Sequence, residues 1–117
     1  MKAQANEFRF IRLVRDLAIH RAFYEKVFEW PVVTEWDSGV MFDTGAAVFE
    51  LIQDPQAEKP NASTRISISV PDVWLLFENL KDKVTIVFPI RDNSWGDTSF
   101  RISDPDGFYI TLFTPTK

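Results

Sequence analysis

Two stretches of this chain, Val14-Arg15-Asp16 and Val70-Pro71-Asp72, lie 56 residues apart and follow one plan. Each closes an alternating run and opens an amphipathic one. Before the first, Phe8, Phe10, Arg12 and Val14 alternate with Arg9, Ile11 and Leu13, the pattern of a strand in which Arg12 is the exception on its side. Asp16 is a good helix N-cap, and Ile19, Ala22, Phe23 and Val27 then recur at helical spacing, so 16–28 is expected to be a helix that Trp30-Pro31 stops. Strands follow at 32–37, 40–44 and 47–53, separated by Ser38-Gly39 and Gly45-Ala46. In the second half, Ile66, Ile68 and Val70 alternate with Arg65, Ser67 and Ser69. Asp72 caps a helix carrying Val73, Leu76, Phe77 and Leu80 on one face, and strands are expected at 84–90, 98–103 and 108–114.

The chain therefore reads as βαβββ twice over, an α+β arrangement. A repeated unit too small to fold alone implies two units sharing one structure. The expectation is a single domain over 1–117 made of repeats 8–53 and 64–114. Residues 54–63 are polar, contain Pro55 and Pro60 and lack periodicity, as a linker would.

A length of 117 residues suits one compact domain, and 45% hydrophobic residues with eleven Phe and four Trp are ample for its core. The net charge of -4, with no run of Lys or Arg, argues against nucleic acid as a partner. No apolar run approaches the ~20 residues that cross a bilayer, and residues 1–7 lack the apolar region of a signal peptide. No membrane association and a cytoplasmic location are the expectations. The absence of cysteine removes disulfides, thiolate catalysis and Cys-based zinc sites, leaving chemistry to Arg, Glu, Asp, His, Tyr, Ser and Thr.

Near the C-terminus, Asp104-Pro105-Asp106-Gly107 joins two alternating stretches, Phe100 and Ile102 before it and Ile110 and Leu112 after it. Pro105 presets φ for a turn, the Asp side chains can accept from nearby backbone N–H groups, and Gly107 takes the positive φ that closes a hairpin. This order of Trp95-Gly96, strand, Asp-Pro-Asp-Gly and final strand, together with Val-x-Asp before each helix and Phe23-Tyr24, resembles the vicinal oxygen chelate superfamily. That superfamily groups glyoxalase I, bleomycin-resistance proteins and extradiol dioxygenases. The resemblance covers Phe8 to Phe113, with Phe108 in place of the Asn usual after Asp-Pro-Asp-Gly.

The resemblance implies two βαβββ modules whose curved mixed sheets form a cup, with ligands supplied by the first and last strands of each. The four metal-ligand positions fall on Arg9, Glu50, Arg65 and Thr111. Thr111 stands where a metal-ligating Glu is often found. Alternation independently puts Arg9, Ile11 and Leu13, then Val48, Glu50 and Ile52, on the side of their strands away from the helix. In the second half it does the same for Arg65, Ser67 and Ser69, and for Tyr109, Thr111 and Phe113. Two permanently protonated guanidinium groups would repel a divalent cation, so no metal and no other cofactor are expected.

Arg9, Glu50 and Arg65 then have two readings, a satisfied ion network standing in for the metal or a surplus positive charge for a carboxylate or phosphate. Tyr109 belongs to the same lining, and Trp36 and Trp95, near strand ends, are candidates to stack on a planar ligand. His20, the only histidine, lies on a helix flank away from these positions. The favoured function is metal-free binding of a small anionic or aromatic molecule. The alternatives are a lyase, isomerase or dioxygenase, with Glu50 the one weak catalytic candidate, and a non-catalytic interaction domain with a filled cup. A homodimer is expected from the resemblance and from Leu75, which points away from the helix's apolar stripe.

Overall fold

A computed structural model describes residues 1–116, which divide into two compact units, one up to Glu58 and one from Lys59 onward. The first contains β1 (Arg9–Val14), α1 (Leu17–Phe28), β2 (Val32–Trp36), β3 (Gly39–Asp43) and β4 (Val48–Gln53). Its sheet has the order β1-β4-β3-β2, with β1 parallel to β4 and the remaining pairs antiparallel. Asp16 caps α1 by accepting from the Ile19 N–H at 3.1 Å, and Glu29 ends it in the left-handed conformation at φ 56°. The helix lays Tyr24, fully buried, against Phe49 of β4 at 4.5 Å between ring centroids, and Phe28 stacks on Trp30 at 4.4 Å. Val14, Val40, Phe42 and Leu51 complete this core. Arg12, the exception in the strand pattern, is buried on the same side as Val14.

The second unit repeats the plan with β5 (Arg65–Ser69), α2 (Val73–Leu80), β6 (Thr85–Asn93), β7 (Asp97–Ser103) and β8 (Tyr109–Pro115), in the order β5-β8-β7-β6. Two open four-stranded mixed sheets, each with one helix, thus form the two βαβββ modules that the 56-residue offset implied. Asp72 caps α2 at the Leu75 N–H, 3.0 Å away, as its counterpart Asp16 does for α1. Thr114 ties the chain before α2 to β8, donating to the Val70 carbonyl at 2.6 Å and accepting from the Val73 N–H at 3.0 Å. Phe100, Ile102, Ile110 and Leu112 are all buried, with Val73, Leu80 and Phe108.

The β7–β8 hairpin closes as its turn residues require. Gly107 has φ 84° and its N–H donates to the Asp104 carbonyl at 2.9 Å. The Asp104 carboxylate, 3% exposed, accepts from the Asp106 and Phe108 N–H groups at 2.9 and 3.0 Å. Phe108 itself is core, which accounts for an apolar residue after the turn.

Three differences from the sequence expectation have local causes. β6 runs on to Asn93, three residues further than the apolar pattern suggested, and it is irregular, with register shifts between Ile86 and Phe88 and between Phe88 and Arg91. Pro89, which cannot donate to a ladder, sits inside this shifted stretch of an edge strand, where proline is tolerated. The stretch expected to be a linker starts as an ordered turn. The Asp54 N–H donates to the Val14 carbonyl at 2.8 Å, Arg15 Nε donates to the Ala57 carbonyl at 2.6 Å, and Ala57 is buried. Among the described residues, no helix is long and apolar enough to cross a membrane.

Candidate functional site

Strand alternation sorts the second sheet into a core face and an opposite face, and the opposite face is polar. The cross-strand pairs Ser67↔Thr111, Thr111↔Arg101 and Arg101↔Phe88 make one row across all four strands. Ser69↔Phe113, Phe113↔Ser99 and Ser99↔Arg91 make the next. Arg65 enters beside the first row, paired with Tyr109. Together Arg65, Ser67, Arg91, Trp95, Asp97, Ser99, Arg101, Thr111 and Phe113 line a pocket of about 360 Å³ that lies wholly on this module. A volume of that size suits a small organic molecule.

The side chains in the pocket are held in place. Arg101 Nε donates to Thr111 Oγ1 at 3.1 Å, and its guanidinium carbon lies 4.9 Å from the Phe88 ring centroid and 5.8 Å from that of Tyr109. Arg91 approaches the same Phe88 ring at 4.8 Å, so one aromatic side chain orients two guanidinium groups by cation–π attraction. Asn93 Nδ2 donates to both Asp97 Oδ1 and Ser99 Oγ, each at 2.8 Å, fixing the single carboxylate of the lining to the pocket rim. Trp95 sits in the β6–β7 turn next to Gly96 (φ 107°) and is 72% exposed, an aromatic surface without a packing role there.

The electrostatics of this face are one-sided. The Arg101 guanidinium is held below its ordinary pKa, first by burial and then by repulsion from Arg65 and Arg91. A fold that places three like charges together tolerates a destabilisation that an anion would relieve.

The remaining sequence candidates are on the first module. Arg9 pairs with Glu7 at 2.8 Å rather than with Glu50. Its pKa is raised by that hydrogen bond and by the Glu7 charge, Glu50 adding only a smaller, more distant attraction. Glu50 is 6% exposed on β4, next to Ile11 and Met41 in the ladder. Trp36 covers Gly39, where an added Cβ would lie 2.3 Å from ring carbon Cζ2. The pocket therefore gathers Arg65, Thr111 and Trp95, with Tyr109 against Arg101, whereas Arg9, Glu50 and Trp36 belong to the other module's surface and core. His20 is buried, its Nδ1 donating to the Asp16 carbonyl at 2.9 Å, which makes it part of the helix start.

Arg91, Asp97, Ser99 and Arg101 lie on β6 and β7, whereas the superfamily resemblance assigns ligands only to the first and last strands of each repeat. The alternation of Phe100 and Ile102 already placed Ser99 and Arg101 on the opposite face. Arg91 had no comparable signal. Continuing the Phe88↔Arg101 register would put Ile90 opposite Ser99, and only the second register shift puts Arg91 there instead.

The sequence pattern of the glyoxalase-like domain matches residues 8–115. The chain belongs to the glyoxalase-like domain family, within the vicinal oxygen chelate superfamily. Among solved structures, it is similar to a protein of unknown function from Agrobacterium tumefaciens, with 22% identity, TM-score 0.81, and 97% of this chain and 96% of that one covered. It is also similar to a glyoxalase/bleomycin resistance protein/dioxygenase from Nocardioides, with 14% identity, TM-score 0.82, and coverage of 100% and 87%. A lactoylglutathione lyase from Agrobacterium tumefaciens aligns at 16% identity and TM-score 0.76 over 96% and 95% of the two chains. At these identities the likeness is one of fold. No curated protein matches the sequence.

A divalent metal, which the superfamily implies, does not fit the residues here. Two of the four matched positions are on the second module, and they hold Arg65, a cation without a lone pair to give, and Thr111, whose hydroxyl already accepts from Arg101. Among the described residues, no three His, Cys, Asp or Glu side chains form a group that could hold a metal ion.

Proposed function

We propose that this protein binds a small anionic, aromatic molecule without using a metal ion, and that the arginine-lined face of its second module takes the anionic group. The observation that carries the reading is the convergence of Arg65, Arg91 and Arg101 on one pocket, with Arg101 destabilised in its charged form by burial and by the other two. Guanidinium groups without enough counter-charge in a part-solvated recess are suited to a carboxylate or phosphate, which they grip with paired N–H donors. Hydroxyls of Ser67 and Ser99 add neutral hydrogen-bonding capacity, and Trp95 and Phe113 supply surface for a flat apolar body.

Isothermal titration with aromatic carboxylates such as benzoate and salicylate, against the corresponding neutral amides, tests this. The acids should bind and the amides should not. Arg65→Met should weaken the acids about tenfold or more, the loss expected for a charge-assisted hydrogen bond of about 1.5–3 kcal/mol. Because Arg65 is exposed, its melting temperature should hardly change. Equal binding of acid and amide, or an Arg65→Met variant with parental affinity, rejects the reading.

A further inference from the structure

The charge count of the pocket points beyond anion binding in general. Three guanidinium groups face one carboxylate, Asp97, so two positive charges are in excess among the groups lining it. They come from three different strands, Arg65 on β5, Arg91 on β6 and Arg101 on β7, and Arg101 feels both of the others. A monocarboxylate would leave one of those charges without a partner. A single tetrahedral group with two negative charges and three terminal oxygens would neutralise the excess and offer each guanidinium an oxygen. The pocket's hydroxyls can bond the same oxygens, and Trp95, 72% exposed beside them, offers a ring face to the rest of the molecule.

We propose that the preferred ligand is the dianion of a phosphate monoester carried on a small aromatic group, an inference that rests on the anion-binding reading above and narrows it. Such a group changes charge where most carboxylates do not. Its second proton is lost at a pH of about 6, so the dianion dominates at pH 7.5 and the monoanion at pH 5. The charged groups facing the ligand are the guanidinium groups of Arg65, Arg91 and Arg101 and the carboxylate of Asp97, with Tyr109 beside Arg101 at the edge.

The probes are phenyl phosphate and phenyl sulfate, two tetrahedral esters of the same size, of which the sulfate is a monoanion at every pH used. Titration calorimetry at pH 7.5 should show phenyl phosphate binding roughly tenfold more tightly, the effect of one further charge-assisted contact. At pH 5 the ratio of the two affinities should fall towards one. Both ligands meet the same protein at each pH, so any change in the protein that affects the two equally drops out of that ratio. The exposed Arg91 can be replaced without disturbing the core, and Arg91→Met should weaken both esters while lowering the ratio of their affinities at pH 7.5 several-fold. Equal affinities at pH 7.5, a ratio independent of pH, or an unchanged ratio in Arg91→Met would each overturn the dianion inference while leaving anion binding in place. Failure of both esters and of the aromatic carboxylates to bind would reject the parent reading and this one with it.

Discussion

Replacing Asp104 with Ala tests whether one side chain fixes the hairpin that aligns β7 with β8. Its carboxylate is 3% exposed and accepts from two backbone N–H groups, Asp106 at 2.9 Å and Phe108 at 3.0 Å. A hydrogen bond to a charged acceptor contributes about 1.5–3 kcal/mol, and one to a part-exposed donor that water can reach contributes less. Asp106 is part-buried and its N–H can be rehydrated, so about 0.5–1 kcal/mol is assigned to that bond. The Phe108 N–H is buried and loses its charged acceptor, at a cost of about 2–3 kcal/mol. The expected total is about 3 kcal/mol, or roughly a 10 °C fall in melting temperature for a chain of this size. Urea denaturation followed by circular dichroism measures it. Asp104→Asn, which keeps an acceptor oxygen, should lose about half as much. If Asp104→Ala loses less than about 1 kcal/mol, the reasoning is refuted, and the φ preferences of Pro105 and Gly107 suffice to hold the turn.

Gly39→Ala should cost about 1–3 kcal/mol, because its Cβ would lie 2.9 Å from the Leu51 carbonyl oxygen as well as within 2.5 Å of two Trp36 ring atoms. Near-UV circular dichroism should change as Trp36 is displaced, and an unchanged spectrum with parental stability would count against the contact. Glu50→Gln should lose less than about 1 kcal/mol in the same urea assay, since Arg9 already has Glu7 as its partner. A loss of about 3–5 kcal/mol would instead mark Glu50 as the counter-charge of a closed ion network. Incubation with zinc, nickel, manganese or iron followed by gel filtration and elemental analysis should find no stoichiometric uptake, and one tightly held ion per chain would sink the donor-set argument. With Trp74 and Leu75 exposed on α2, light scattering is expected to report twice the 13.6 kDa of one chain, a result that Leu75→Asp should reverse.

Much of the fold was legible because its determinants are local. Asp16 and Asp72 announce helix starts by a property of their own side chains, and Asp-Pro-Asp-Gly specifies its turn within four residues. Alternation placed Phe100, Ile102, Ile110 and Leu112 in the core and Arg65, Ser67 and Thr111 on the opposite face, since a period of two leaves no choice in a regular strand. The candidate site was legible only where strands stay regular. Arg101 could be assigned to a face by counting from Ile102, but Arg91 could not, because two register shifts in β6 change the count before it is reached. The partner of Arg9 was also hidden. Glu7 lies before the first strand, and local alternation says nothing about which carboxylate a long, exposed side chain will meet.

The irregular β6 strand bears on how such a pocket changes over generations. Each extra residue in an edge strand turns every following side chain to the other face, while the pairing of β5, β8 and β7 stays as it is. Loss of the shift between Phe88 and Arg91 would exchange a guanidinium for the apolar side chain of Ile90 and lower the positive excess by one charge. Straightening the strand at that point and deleting one codon there thus have opposite outcomes: the first takes Arg91 out of its place opposite Ser99, whereas the second leaves it two places after Phe88 and still opposite Ser99. The core that both would share need not repack.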